Sequence, residues 1–234
     1  LGNQMFQIAS GYAHAKDNNQ DFAIDYNITH NSGQGHPHLK YKDNLFKNIP
    51  ETSFKDRDFV IYNEPQFKYI PIEDHDKDTM IDGYFQSELY FKQHRDDIIN
   101  LFSFPDDIVS QVTTKLDKIK EDFSVEELVC VHVRRGEYLN LPNIHPAQSV
   151  IYYKMAMKRF DKKKTGFVVI SDDMNWCQEK LNDDNVAFCN TGYDYSVQPR
   201  TEKLLELFDL YIATQCSHNI IPNSSFGWWG AWLN

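Results

Sequence analysis

The chain has 234 residues, 41% of them hydrophobic and 14% aromatic, which is enough to bury a substantial core as one large domain or two small ones. A formal net charge of −10 argues against nucleic acid or an anionic membrane surface as the main partner, since either would be repelled over most of the protein surface, and any basic patch must be local. The four cysteines, Cys130, Cys177, Cys189 and Cys216, show no metal-ligand spacing and suit reduced thiols better than a secreted disulfide framework.

No apolar run approaches the roughly 18 residues of a membrane span, and no signal peptide is visible. In chain order, Asn3 to Lys16 places apolar residues at Met5, Phe6, Ile8, Ala9, Tyr12 and Ala13, the spacing of a helix that follows a glycine turn. Asn3 and Gln4 at its start either offer hydrogen bonds to a ligand or, in the case of Asn3, cap the helix. Phe22 to Tyr26 reads as a short strand. Residues 27–80 are mixed in polarity, and the histidines His30, His36 and His38 sit in loop chemistry without the spacing of a metal pair. The acidic run Glu73-Asp74-His75-Asp76-Lys77-Asp78 lacks the glycine and acid spacing of a Ca²⁺ loop and reads as a solvated turn.

Met80 to Gln86 reads as a strand entering an aromatic turn, Tyr90 to Phe102 as a helix, and Ile108 to Phe123 as a charged amphipathic helix, which puts a domain boundary near Ser124. Strand and helix then alternate: Leu128 to Val133, Ser149 to Phe160, Phe167 to Ile170, Trp176 to Leu181, Val186 to Phe188, Glu202 to Gln215 and Asn219 to Ile221. This is an α/β nucleotide-binding layout with a parallel sheet. The broad apolar stripe of Glu202 to Gln215 gives that helix a structural role.

Three strand ends carry the chemistry. Leu128 to Val133 is a β-branched apolar run that delivers Arg134 and Arg135 to a carboxyl edge, where open α/β sheets bind ligands and where two guanidiniums suit an anion such as phosphate. Phe167 to Ile170 ends in Ser171-Asp172-Asp173, and Ile220-Ile221 leads through Asn223, Ser224 and Ser225 into an aromatic segment. Serine hydroxyls and free N–H groups at a helix start make an anion site.

The phrases LGNQMFQ at positions 1–7, HVRRGEY at 132–138, SDD at 171–173 with Trp176-Cys177, and NSSFGWWGAWL at 223–233 resemble, in order and across the whole chain, the signature segments of the α-1,2-fucosyltransferase family, glycosyltransferase family 11. Gly83, Tyr84, Phe85 and Gln86 resemble a shorter segment of it, with an aromatic core as the competing reading. The resemblance implies a GT-B fold: two Rossmann-like α/β domains facing a cleft, residues 1–124 on the acceptor side and 125–234 binding the GDP-sugar. It also implies GDP-β-L-fucose as donor, a galactose-terminated glycan as acceptor, transfer to its 2-hydroxyl with inversion, and neither a metal nor another cofactor. Family members begin with a strand and continue past the tryptophan-rich motif, so both ends read as cropped. The expected location is the cytoplasm or the periphery of the cytoplasmic membrane in a microbe, or the Golgi membrane if an upstream anchor exists.

By the same resemblance Arg134 grips the β-phosphate, Arg135 assists or holds the loop, and Asn223, Ser224, Ser225 and the N–H groups leading into Phe226 supply further donors. His132 with Asp172 or, preferably, Asp173 reads the guanine edge, and Gly2, Asn3 and Gln4 line the substrate site. Glu137 is the nearest candidate for a general base. The family has Asp there, and the longer side chain favours orientation of Arg134 instead. A second departure is Gly227, where the family commonly has Ser. Two other classes remain open: a metal-dependent nucleotide-sugar transferase built on Asp172 and Asp173, and a glycan- or GDP-sugar-binding protein with weak or no turnover.

Overall fold

The computed structural model describes residues 1–28, 37–189 and 204–234. They form two compact units, Leu1–Pro105 and Asp106–Asn234. The first opens on helix α1 (Gly2–Asp17), followed by strands β1 (Phe59–Asn63) and β2 (Asp78–Asp82) and helix α2 (Arg95–Leu101). The second contains α3 (Asp106–Phe123), β3 (Glu127–Val133), α4 (Val150–Met157), β4 (Thr165–Ser171), α5 (Met174–Leu181), β5 (Val186–Phe188), α6 (Leu205–Gln215), β6 (His218–Ile220) and α7 (Ser225–Trp232).

The division falls between Pro105 and Asp106 rather than near Ser124. The reason is packing: α3 buries Ile108, Val112, Leu116 and Ile119 and lies against α6, β3 and β4 of the second unit. Its apolar spacing makes it part of that core, not a linker to it.

In the first unit β1 and β2 pair in parallel, Phe59 opposite Asp78 through Asn63 opposite Asp82. The strand expected at Phe22 to Tyr26 reduces to one parallel bridge, Ile24 with Glu51. The helix expected from Tyr90 to Phe102 is broken into short 3₁₀ turns at Glu88–Tyr90 and Lys92–His94 before α2 begins. α1 starts at Gly2, so Gly2 belongs to the helix and not to a preceding turn. Of the three loop histidines, His30 and His36 lie outside the described residues, while His38 starts a 3₁₀ turn and packs 5.4 Å from the Tyr26 ring.

The second unit is a four-stranded parallel sheet in the order β5-β4-β3-β6. β3 is buried throughout from Leu128 to Val133, as a central parallel strand covered on both faces must be. Alternation decides which face each residue serves. Val129, Val131 and Val133 pack with Tyr153 of α4 and with Cys177 and Leu181 of α5. The intervening residues point the other way, where α6 lies against β3 and α7 against α6. All four cysteines are free and buried, and the Cys130 and Cys216 thiols hydrogen-bond to each other. No helix among the described residues is long and apolar enough to cross a membrane.

Candidate functional site

The strand order supplies the site. β4 lies on one side of β3 and β6 on the other, so the connections leaving β3 and β6 diverge at their carboxyl ends. Ligands of open α/β sheets bind outside such a switch point. Arg134 and Arg135 follow β3 directly, and Asn223 to Phe226 follow β6.

Two aspartates after β4 hold the arginine pair. The Asp172 side chain, only 3% exposed, accepts from the Arg135 backbone N–H at 2.8 Å with Oδ1, and its Oδ2 lies 3.0 Å from Nη1 of Arg134. Burial pushes the Asp172 carboxyl upward, opposed by the Arg134 charge and by backbone N–H groups that include Gly136. A Cβ on Gly136 would stand 2.6 Å from Asp172 Oδ2, so glycine is required for this close approach. Asp173 caps α5 by accepting from the Trp176 N–H at 3.2 Å, and its other oxygen accepts from Arg135 Nε at 3.0 Å. The Arg135 guanidinium stacks 4.1 Å from the Trp176 ring centroid. Arg135 is therefore held from three sides, by Asp172, Asp173 and Trp176.

Arg134 has a different setting. It pairs with Glu137 and with Asp172, and its guanidinium lies 5.5 Å from the Tyr138 ring centroid. Tyr138 links the two strand-end loops, donating its hydroxyl to the Asn223 carbonyl at 3.1 Å and stacking on His145 at 4.9 Å. Ser224 is buried in the N-cap position of α7, but its hydroxyl makes no cap and engages Tyr138 instead. The N–H groups of the first helical turn of α7, at Ser225, Phe226 and Gly227, have no intrahelical acceptor by geometry.

His132, on the β3 face opposite Val133, packs 5.3 Å from the Phe226 ring. Its Nδ1 is buried without a hydrogen-bond partner among the described residues. Burial, seconded by the Arg134 charge, lowers its pKa to about 3. The ring stays neutral when folded, whereas in the unfolded chain it protonates below about 6.5. Between those values the unfolded state binds the extra proton, so this group costs stability as pH falls from about 6.5 to about 3 and costs nothing above. At pH 5 the loss is about 2 kcal/mol. Ring-carbon NMR of His132 should accordingly show no titration between pH 8 and pH 5; an inflection near 6.5 would contradict the buried setting.

The structure thus brings His132, Arg134, Arg135, Glu137, Asp172, Asp173, Asn223, Ser224, Ser225 and Phe226 to one sheet edge of the second unit. Gly2, Asn3 and Gln4 belong to the first unit, at the start of α1. Asn3 does not cap that helix; its Oδ1 accepts from Gln86 Nε2 at 2.8 Å. Asp173 has a structural duty besides any contact with a ligand: one oxygen caps α5 and the other braces Arg135, while its side chain stays 28% exposed. Among the described residues no three His, Cys, Asp or Glu side chains are grouped to hold a metal ion.

Sequence reasoning missed three residues. Trp176 and Tyr138 sit inside the recognised phrases but hold the arginines by their ring faces. Asp209, in the apolar stripe of α6, is half-buried; desolvation, with Glu206 pushing the same way and Lys115 opposing, holds its carboxyl well above the usual range. An acid between Phe208 and Leu210 was the signal for it.

Comparison with known proteins agrees with this picture. The model of the family described as Glycosyl transferase family 11 matches residues 1–234. An alpha-1,2-colitosyltransferase of Escherichia coli is 28% identical over all of this chain and 84% of its own length. The galactoside alpha-(1,2)-fucosyltransferase 2 of Bos taurus is 26% identical over all of this chain and 66% of its own length. The crystal structure of the fucosyltransferase NodZ from Bradyrhizobium superposes with a TM-score of 0.59 at 15% identity, covering 98% of this chain and 87% of that one. That likeness shows the GT-B type of α/β fold. Along its whole length, the chain belongs to glycosyl transferase family 11.

Proposed function

We propose that the protein transfers L-fucose from GDP-β-L-fucose to the 2-hydroxyl of a terminal β-galactoside, forming an α-1,2 linkage with inversion and without a metal ion. The observation that carries this reading is the arginine pair at the β3–β6 switch point, together with relatives named for α-1,2 transfer. As the sugar C1–O bond breaks, negative charge grows on the departing GDP. Fixed cations and N–H donors aimed at the β-phosphate stabilise that charge.

Arg134 is oriented for the task by Glu137 and Asp172. The α7 amino end adds N–H donors and a positive dipole end. Arg135, committed to Asp173 and Trp176, sets the shape of the loop. His132 stays neutral beside the nucleotide site and can donate or accept through its ring without adding charge. Glu137 already pairs with Arg134, which favours orientation over proton removal, and the base for the acceptor hydroxyl is left unassigned.

A second reading of the donor is colitose in place of fucose, favoured by the relative that this chain covers for 84% of its length. Calorimetric titration with GDP, followed by GDP-fucose turnover with lactose in EDTA, tests the proposal. GDP binding and undiminished turnover in EDTA are expected. Turnover that returns only with added Mn²⁺ or Mg²⁺ would overturn metal independence. GDP binding with turnover of the colitose donor alone would move the proposal to the second reading.

A further inference from the structure

The first unit displays two large aromatic rings where burial would be expected. Phe67 is 81% exposed and Tyr84 is 46% exposed, and their ring centroids stand 5.7 Å apart at an interplanar angle of 31°. Residue 85, next to Tyr84, is a phenylalanine with no exposure at all. The backbone between them explains the contrast. Gly83 has φ +155°, and a Cβ there would stand 2.3 Å from Cβ of Glu64; Phe85 has φ +51°, the left-handed region that bulky residues avoid. Such a conformation persists only where the surroundings impose it.

The surroundings do impose it. Gln7 of α1 donates to the Gly83 carbonyl at 2.7 Å, the Glu64 carboxylate accepts from the Tyr84 N–H at 2.7 Å, and Gln86 donates to Asn3 at 2.8 Å. The loop carrying Phe67 is also anchored, by the Ile70 N–H donating to the Tyr90 hydroxyl at 3.2 Å and by Tyr69 packing edge-on to Tyr90 at 4.8 Å. The turn therefore drives Phe85 into the core and holds Tyr84 outward beside Phe67.

We infer that Phe67 and Tyr84 form a stacking platform for the pyranose ring of the acceptor, with polar groups at the same turn: Glu64, which accepts from the Tyr84 N–H, and Gln86, which donates to Asn3. The inference rests on the proposed transfer to a galactoside. A β-galactose offers an apolar patch of C3–H, C4–H and C5–H that suits an exposed aromatic face, and its hydroxyls suit amides and a carboxylate. The ligand is neutral, so the net acidity of the chain does not oppose it. A protein partner would need a much larger apolar surface than two rings.

The test is saturation-transfer NMR on the intact chain with lactose, N-acetyllactosamine and methyl β-D-galactoside, without donor. Saturation should be strongest on galactose H3, H4 and H5. Phe67→Ala and Tyr84→Ala should each weaken binding about tenfold, while Phe67→Tyr and Tyr84→Phe retain it and GDP affinity is unchanged in all four. Both residues are exposed, so the alanine variants keep the core intact. Unchanged saturation in both alanine variants, or none in the wild type with any of the three sugars, overturns the platform. Sugar binding that depends on these rings in a protein that neither binds GDP nor turns over GDP-fucose would leave the platform standing and defeat the transferase reading.

Discussion

Arg134→Ala should lower kcat/KM for GDP-fucose by about 10²–10³-fold, the usual consequence of removing one donor aimed at developing charge. The reasoning follows its position. Arg134 leaves β3 at the point where the strand order reverses, with Asp172 behind it and Glu137 at its side. Arg134→Lys should recover only part of the activity, because an ammonium lacks the planar fork that serves two carboxylates and a phosphate together.

The same change has a signature in stability. Asp172 has its folded pKa raised by burial, and the Arg134 charge is what opposes the rise. Without Arg134 the folded pKa moves further above the unfolded value. A raised carboxyl costs stability above its folded pKa, and that cost is relieved as pH falls and the folded state takes up the proton. The deficit of Arg134→Ala relative to wild type, measured by urea unfolding, should therefore be larger at pH 8 than at pH 5. An equal deficit at both would mean that Asp172 does not depend on this arginine.

Gly227→Ser should be strongly damaging even though it restores the residue that the family pattern favours. A Cβ at position 227 would lie 2.3 Å from Nδ1 of His132, closer than real atoms approach. The imidazole must leave its place between β3 and α7, at a cost of about 1–3 kcal/mol for overpacking, and GDP affinity should fall at least about tenfold. Adding His132→Ala removes the obstructing ring. The double variant should regain stability relative to Gly227→Ser alone without regaining GDP affinity, a coupling that a double-mutant cycle measures directly. Full GDP affinity in Gly227→Ser would show that the ring and the nucleotide are independent.

Much of the second unit was legible because its strands are short runs of β-branched residues and its helices repeat at 3.6 residues. β3 through β6 fall within about two residues of their expected limits, and the edge residues follow from where the runs stop. The first unit was harder to read. β1 lies in a stretch of mixed polarity whose side chains are half-buried or exposed, and the Phe22 to Tyr26 run pairs through Ile24 alone. No periodicity marks such segments, because they are set by contacts with α1 and by turns such as Gly83 to Phe85.

Within the site, residue identity was easier to read than residue duty. The sequence announces that Asp172 and Asp173 stand opposite Arg134 and Arg135, but not that the aspartates brace the arginines. That distinction depends on χ angles and on the N-cap of α5, where the Asp173 carboxylate is committed. His132 was legible as a strand-end histidine. That it needs a glycine across from it on α7 depends on a separation no linear pattern carries, since 94 residues of chain lie between positions 132 and 227.

The most direct measurement is the NMR structure of the product formed from GDP-fucose and lactose by the intact protein in EDTA. The account predicts a fucosyl residue in α linkage on O2 of galactose, which fixes donor, linkage and inversion from a β donor in one spectrum. A β-linked product, attachment at another hydroxyl, or GDP release without any fucoside would contradict it.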